Sequence, residues 1–81
     1  MSKVSQPDVI AAIEKALELK PGSLREGTRA EEVGSWDSLG QLSILVALDT
    51  LFDGKIAGIH EMAEVDSIGK ILVILRQHSL L

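Results

Sequence analysis

The sequence predicts an all-α fold, a small four-helix bundle with a long first loop and a short third helix. The first observation is composition: 46% of the 81 residues are apolar, with one Trp, one Phe and no Tyr. Aliphatic residues in this excess favour packed helices over an aromatic-rich sheet. The second is spacing, because apolar residues recur at helical intervals in segments separated by Gly and Pro. A chain of this length buries one modest core, so we expect residues 1–81 to form a single domain.

The first helix is predicted to begin at Ser5, whose hydroxyl can cap the helix together with the carboxylate of Asp8. Pro7 falls in the first turn, where its missing N–H costs nothing. The segment Lys20-Pro21-Gly22 is expected to end the helix. One apolar stripe is predicted, formed by Val9, Ile10, Ile13, Ala16 and Leu17. The acidic residues of this helix are expected to be solvated.

A long loop is predicted between Pro21 and Trp36, because this segment contains three glycines and few large apolar residues. A loop of this length is uncommon in so small a domain, and is either functional or connects distant helix ends. We expect Leu24 and Val33 to fasten it to the core. Trp36, the sole tryptophan, is expected to be partly buried at the end of the loop, with a role in partner contact as an alternative.

The second helix is predicted to begin at Asp37-Ser38 and to end at Gly54. Its apolar residues are too many for one neighbouring helix to cover. Four of them are predicted to share a buried face that Ile44 and Leu51 widen: Leu42, Leu45, Leu48 and Phe52.

The remainder of the chain is predicted to form one short and one longer helix. Ile59 to Glu64 can form one or two turns, and Asp66 or Ser67 then caps the last helix. The buried side of that helix is predicted to comprise Ile68, Ile71, Leu72 and Leu75, with Arg76 and His78 at its C-terminal end.

Composition also limits the function classes. The chain has no cysteine, which excludes disulfides, thiolate metal sites and cysteine nucleophiles. A net charge of −4 with scattered basic residues opposes binding to nucleic acid and to anionic lipid. No stretch reaches the roughly 18 apolar residues that a membrane-spanning helix needs, and no signal-peptide pattern is seen. We therefore expect a cytoplasmic monomer without a membrane span.

Ser38 lies where the polar loop meets the apolar second helix, and two interpretations are open. It can be a helix-capping residue and nothing more, since Ser and Asp are preferred at caps. Alternatively, its hydroxyl is displayed for chemistry, because the unpaired N–H groups and positive dipole of a helix N-terminus favour an attached phosphate.

The chain resembles the acyl carrier proteins. The attachment motif of that family, Asp-Ser-Leu at the start of the second helix, is present as Asp37-Ser38-Leu39 and is followed at similar spacing by LVALDTLFDGKI. Helix order, the long first loop, the short third helix and the closing helix also match, so the resemblance covers nearly the whole chain. It implies that Ser38 receives 4′-phosphopantetheine from coenzyme A through a phosphopantetheinyl transferase. The arm would carry acyl groups as thioesters, and the protein itself would catalyse nothing.

The resemblance also implies which residues contact partner enzymes, the acyl-loading and acyl-processing synthases, transferases or ligases. Leu39 and Val46 would supply apolar contacts, although Val46 can equally be a core residue. Asp49 and Asp53 would supply negative charge. Family members usually carry more acids along this helix, so the scarcity here indicates a dedicated fatty-acid, polyketide or lipid-related pathway. An acyl chain can fold back between the helices, but a plain core explains the same residues.

Two alternatives stay open. One is an aminoacyl or peptidyl carrier with the same arm, and the other is an acidic helical interaction domain without an arm. A hydrolase is disfavoured because Ser38 has no evident base. We predict no metal site, since the His60 and Glu64 pair is of a kind usually solvated.

Overall fold

The computed structural model describes residues 4–81, so residues 1–3 of the expected domain lie outside the described residues. Within that range the chain is helical and has no strand, which confirms the predicted all-α class. The α-helices are α1 (Gln6–Ala16), α2 (Ser38–Leu51) and α3 (Ile68–Gln77). None of the helices in the described part of the chain is long and apolar enough to cross a membrane.

The predicted count of four helices is not confirmed. The segment expected to form the short third helix is a 3₁₀ helix of five residues, His60–Glu64. A second 3₁₀ helix, Ala30–Glu32, lies within the long first loop. Short 3₁₀ segments of this kind are common connectors, because their hydrogen bonds are poorer than those of an α-helix and they seldom extend further.

The N-terminus of α1 has the predicted capping box. The Ser5 hydroxyl accepts a hydrogen bond from the Asp8 backbone N–H (3.3 Å), and the Asp8 carboxylate accepts one from the Ser5 backbone N–H (3.0 Å). The reciprocal pair satisfies two N–H groups that the helix cannot pair itself. Hydrogen bonds from the Ser5 backbone and hydroxyl hold the pKa of the Asp8 carboxyl below its usual value.

All three α-helices end in the same way, with a residue in the left-handed region just after the helix: Glu18, Asp53 and Ser79. In each case the next N–H bonds back to a carbonyl in the last turn, as in Leu19 N to Glu14 O at 2.8 Å. This is the Schellman arrangement. The prediction that Lys20-Pro21-Gly22 ends the first helix was therefore wrong, because Glu18 reverses the chain before the proline is reached.

The core lies between α1, α2 and α3, and the 3₁₀ helix 60–64 closes one side. Successive turns of α2 contribute Gly40, Ile44 and Leu48 to this core. The predicted buried face of α2 was partly wrong, because Leu42 is 59% exposed and Leu45 is only half-buried. Apolar residues surround much of α2, so periodicity alone could not orient it.

The last helix is confirmed, with Ile68, Ile71, Leu72 and Leu75 all buried.

The long loop is attached to the rest of the fold at both of its predicted anchors, since Leu24 is buried and Val33 is half-buried against the core. A bridge between Arg29 and Ser67 also joins the loop to the start of α3. The Ser67 hydroxyl accepts from the Lys70 N–H (3.2 Å), so Ser67 is the cap. The neighbouring Asp66 pairs with the Lys70 ammonium (2.8 Å), whose hydrogen bond lowers the pKa of Asp66.

Glu14 is an exception to the expectation that the acids of the first helix are solvated. Its side chain is buried, with 5% exposure, and one carboxylate oxygen accepts a hydrogen bond from the Leu24 backbone N–H at 2.9 Å. A buried carboxylate needs such a partner, because desolvation otherwise penalises it heavily. Glu14 therefore pairs a loop N–H that would be buried and unpaired without it.

Replacing Glu14 by Ala is expected to lower the free energy of unfolding by about 1–3 kcal/mol, because the buried Leu24 N–H loses its acceptor. Urea denaturation followed by circular dichroism measures the change. Glu14→Gln is the matched control, since it keeps an acceptor oxygen at the same place. Equal stability of the Ala variant and the wild type would contradict a structural role for this carboxylate.

Candidate functional site

Ser38 is the first residue of α2, and its side chain is exposed. The residue before it, Asp37, is the N-cap, because its carboxylate accepts a hydrogen bond from the Gly40 N–H at 2.9 Å. The Ser38 hydroxyl makes no hydrogen bond within residues 4–81. Of the two interpretations of Ser38, the capping role thus belongs to Asp37. The hydroxyl faces solvent beside the positive end of the helix dipole.

The loop that leads into Ser38 approaches α2 very closely at Gly40. A Cβ atom on Gly40 would lie 2.0 Å from the Ser35 carbonyl oxygen and 2.9 Å from Cδ2 of Leu17. No other side chain fits without moving backbone, so glycine is required here by space and not by backbone conformation. This contact packs Ser35, the loop residue three positions before Ser38, directly against the first turn of α2.

Side-chain hydrogen bonds connect the same turn to the 3₁₀ helix 60–64. Trp36 is buried, with 7% exposure, and its indole Nε1 donates to Oε1 of Gln41 at 2.7 Å. The Gln41 amide nitrogen donates to the carbonyls of Met62 (3.1 Å) and Ala63 (3.2 Å). Trp36 anchors the end of the loop as predicted, but it is more deeply buried than expected. We call these residues the Trp36–Gln41 clasp.

Two adjoining grooves run between α2 and the 3₁₀ helix 60–64. The first contains Ser38 and is bordered by the clasp, by Leu42 and Leu45 of α2, and by Ala63 and Glu64. The second, with a volume of about 370 Å³, lies between α2 and the segment 56–63. Leu45 and Ala63 border both grooves, so a flexible chain attached at Ser38 has an adjoining, largely apolar channel beside it. His60 lies in the second groove with Asp49 and Thr50.

The outer face of α2 carries three exposed aliphatic side chains, Leu39 (75%), Leu42 (59%) and Val46 (67%). They line a common groove with α1, in which Lys15 is the charged residue. The alternative that Val46 belongs to the core is therefore wrong. Contiguous exposed apolar patches on a protein surface mark interaction sites.

The two acids predicted to face partners differ in their surroundings. Asp53 is exposed just after α2. Asp49 is half-buried, and its Oδ1 accepts hydrogen bonds from the backbone N–H groups of Ile56 (3.1 Å) and Ala57 (3.0 Å). The Asp49 carboxylate thus orders the loop that follows α2. The position of Asp49 on the helix did not predict these two hydrogen bonds.

The groove at Ser38 is bordered by the carboxylates of Asp37 and Glu64, and no histidine lines it. In the described residues neither carboxylate makes a hydrogen bond to the Ser38 hydroxyl, so neither is positioned as the base that a serine nucleophile needs. Within residues 4–81, no three His, Asp, Glu or Cys side chains are grouped so that they could hold a metal ion.

No family model, curated protein or solved structure matches this chain in comparisons with known proteins. Two residues of the site were missed by the sequence analysis, Gly40 and Gln41. The only signal for Gly40 was the presence of a glycine three residues after the helix cap. The sequence held no signal for Gln41, because two of its three partners, the Met62 and Ala63 carbonyls, lie more than 20 residues away.

Proposed function

We propose that this protein carries acyl groups on a 4′-phosphopantetheine arm attached to Ser38 and presents them to partner enzymes. The observation that supports the proposal best is an exposed, unbonded serine hydroxyl at a helix start where another residue, Asp37, supplies the cap. A serine that does not cap its helix and whose hydroxyl is not hydrogen-bonded to a base is suited to modification by a second enzyme and poorly suited to catalysis of its own.

The surroundings of Ser38 fit such an arm. The first N–H groups of α2 are unpaired by the helix and favour a phosphodiester by their dipole. In the attachment step, the Ser38 oxygen bonds to the phosphorus next to pantetheine, and the pyrophosphate bond of coenzyme A breaks. Adenosine 3′,5′-bisphosphate leaves, and the serine proton passes to a base of the transferase. The arm supplies the thiol that this cysteine-free chain lacks, and on that thiol the cargo is held as a thioester.

A tethered cargo reaches a partner's active site at high effective concentration, which is what a flexible arm contributes. We propose that partner enzymes contact the outer face of α2, with Leu39 and Val46 as the apolar contacts and Leu42 between them. Leu39 directly follows Ser38, so an enzyme acting on the Ser38 oxygen must lie over it. Asp53 is the exposed acid beside this face, and the carboxylate of Asp49 is already engaged within the fold.

Intact mass after incubation with coenzyme A and a promiscuous phosphopantetheinyl transferase tests the proposal. Wild type is expected to gain one phosphopantetheine group, and Ser38→Ala is expected to gain none, because the acceptor oxygen is gone. Ser79→Ala is the matched control: it removes another exposed hydroxyl, one that lines none of the three grooves, and should be modified as wild type is.

Unmodified wild type, under conditions that load a known carrier protein, would refute the arm and favour an arm-free interaction domain. If the protein is modified, incubation with candidate loading enzymes identifies the class of cargo. Charging by an amino-acid adenylating enzyme, and not by an acyl-activating one, would replace the acyl proposal with the aminoacyl alternative.

A further inference from the structure

The Trp36–Gln41 clasp spans the groove in which Ser38 lies. Its three hydrogen bonds connect the residue two before Ser38, the residue three after it, and the backbone of the 3₁₀ helix 60–64. No other side chain of α2 in the described residues makes a hydrogen bond to that 3₁₀ helix. The clasp is therefore the polar link between the turn at Ser38 and the opposite wall of the groove.

The chemistry of the link is specific to an amide side chain. The indole N–H is a donor only, and carbonyl oxygens are acceptors only, so the residue between them must accept on one atom and donate on another. Gln41 does both, with Oε1 toward Trp36 and Nε2 toward Met62 and Ala63. A carboxylate accepts but cannot donate, and an apolar side chain does neither.

The clasp acts on a turn that is already held by contact. Asp37 caps Gly40, and the Ser35 carbonyl lies against Gly40, so Ser38 is placed relative to α2 by local interactions. What those interactions do not set is the position of the turn relative to the 3₁₀ helix 60–64. In the described residues, Gln41 is the side chain that sets it by hydrogen bonds.

We propose that Gln41 is a positioning residue for the modification of Ser38, a role that rests on the function proposed above. With the clasp made, the turn at Ser38 is held in one position relative to the 3₁₀ helix 60–64, and the transferase binds that arrangement. When the clasp is broken, the turn stays on α2 but takes several positions relative to the 3₁₀ helix. The apparent KM of the transferase for the carrier then rises in inverse proportion to the fraction of carrier molecules that are in the binding-competent arrangement. The chemical step, once the complex has formed, is unchanged.

Initial rates of phosphopantetheine transfer, measured against the concentration of the carrier, test this proposal. Gln41→Met is expected to raise KM for the carrier roughly five- to tenfold, as for a competent fraction of about 0.1 to 0.2, with kcat within about twofold. The isosteric Gln41→Glu is expected to raise KM as well, because the carboxylate cannot donate to the Met62 and Ala63 carbonyls. Gln77→Met is the matched control, an identical change at an exposed position near the end of α3.

A double-mutant cycle distinguishes a shared positioning effect of Trp36 and Gln41 from two independent losses of stability. Trp36→Phe removes the indole donor and is expected to raise KM by itself. Combined with Gln41→Met it should add little, because both changes break one network. All variants are assayed where circular dichroism shows them folded. Gln41→Glu and Trp36→Phe keep the proposal testable should Gln41→Met not fold.

The outcomes are distinguishable. Wild type that is not modified refutes the function itself. Wild type that is modified, with KM of both Gln41 variants within twofold of it, overturns the positioning role and leaves the function standing. A fall confined to kcat, or KM effects of Trp36 and Gln41 that simply multiply, also overturns it.

Discussion

Replacing Gly40 by alanine is expected to lower the free energy of unfolding by about 2 kcal/mol or more. In an ordinary helix this change stabilises by up to about 1 kcal/mol, because alanine has the higher helix propensity. Here the added Cβ would lie 2.0 Å from a backbone oxygen, that of Ser35, which cannot rotate away. Overpacking of this kind typically costs 1–3 kcal/mol, and backbone contact places Gly40 at the upper end of that range. The clash therefore outweighs the gain in propensity.

Thermal unfolding measures this effect, and a loss of 2 kcal/mol corresponds to a fall in Tm of roughly 10 °C for a domain of this size. Gly69→Ala is the matched control, since Gly69 lies in the first turn of α3 and its added Cβ would be 3.3 Å from the nearest atom, the Glu26 carbonyl oxygen. That variant should stay within about 1 kcal/mol of wild type. A Gly40→Ala protein as stable as wild type would show that Ser35 does not lie against α2.

The second large effect is expected at Leu48, which is fully buried in the last turn of α2. Leu48→Ala should lower the free energy of unfolding by about 2–5 kcal/mol, because it removes buried methyl groups and leaves a cavity. A domain of 81 residues has a total stability of roughly 4–12 kcal/mol, so this variant is expected to be close to unfolding at physiological temperature.

Leu42→Ala makes the same chemical change on the same helix, but Leu42 is 59% exposed. It should cost less than about 1 kcal/mol, since most of the side chain is in water in the folded state as well. Urea denaturation of both variants compares the two faces of α2. Equal losses would contradict the orientation of the helix, and with it the apolar outer face that we propose partner enzymes contact.

Helix starts were predicted well because their signals are local. Ser5 with Asp8 and Ser67 with Lys70 are pairs three residues apart, and each satisfies N–H groups of its own helix. Helix ends were predicted less well. Glu18 adopts a left-handed conformation that a glycine would adopt more readily, so the rule that places glycine after a helix missed it.

The orientation of α2 was the largest error within an element. With apolar residues on nearly every side, several stripes fit the helical period, and the stripe through Leu42 was as plausible as the one through Ile44. Only contact with α1 decides between them. The decision exposes Leu42 and Val46 and buries Ile44, so the same helix supplies both a core face and a contact face.

By itself the sequence determined the all-α class, the caps, the boundary at which Ser38 begins α2, and the absence of any cysteine thiol. These depend on composition and on residues a few positions apart, where local hydrogen bonding and spacing dominate. Tertiary structure alone decided that Glu14 is buried, that Gly40 admits no side chain, and that Gln41 joins Trp36 to residues 62 and 63. Each of these depends on a contact between a helix and a segment outside it, and such contacts are set by how the helices and loops meet in the folded protein.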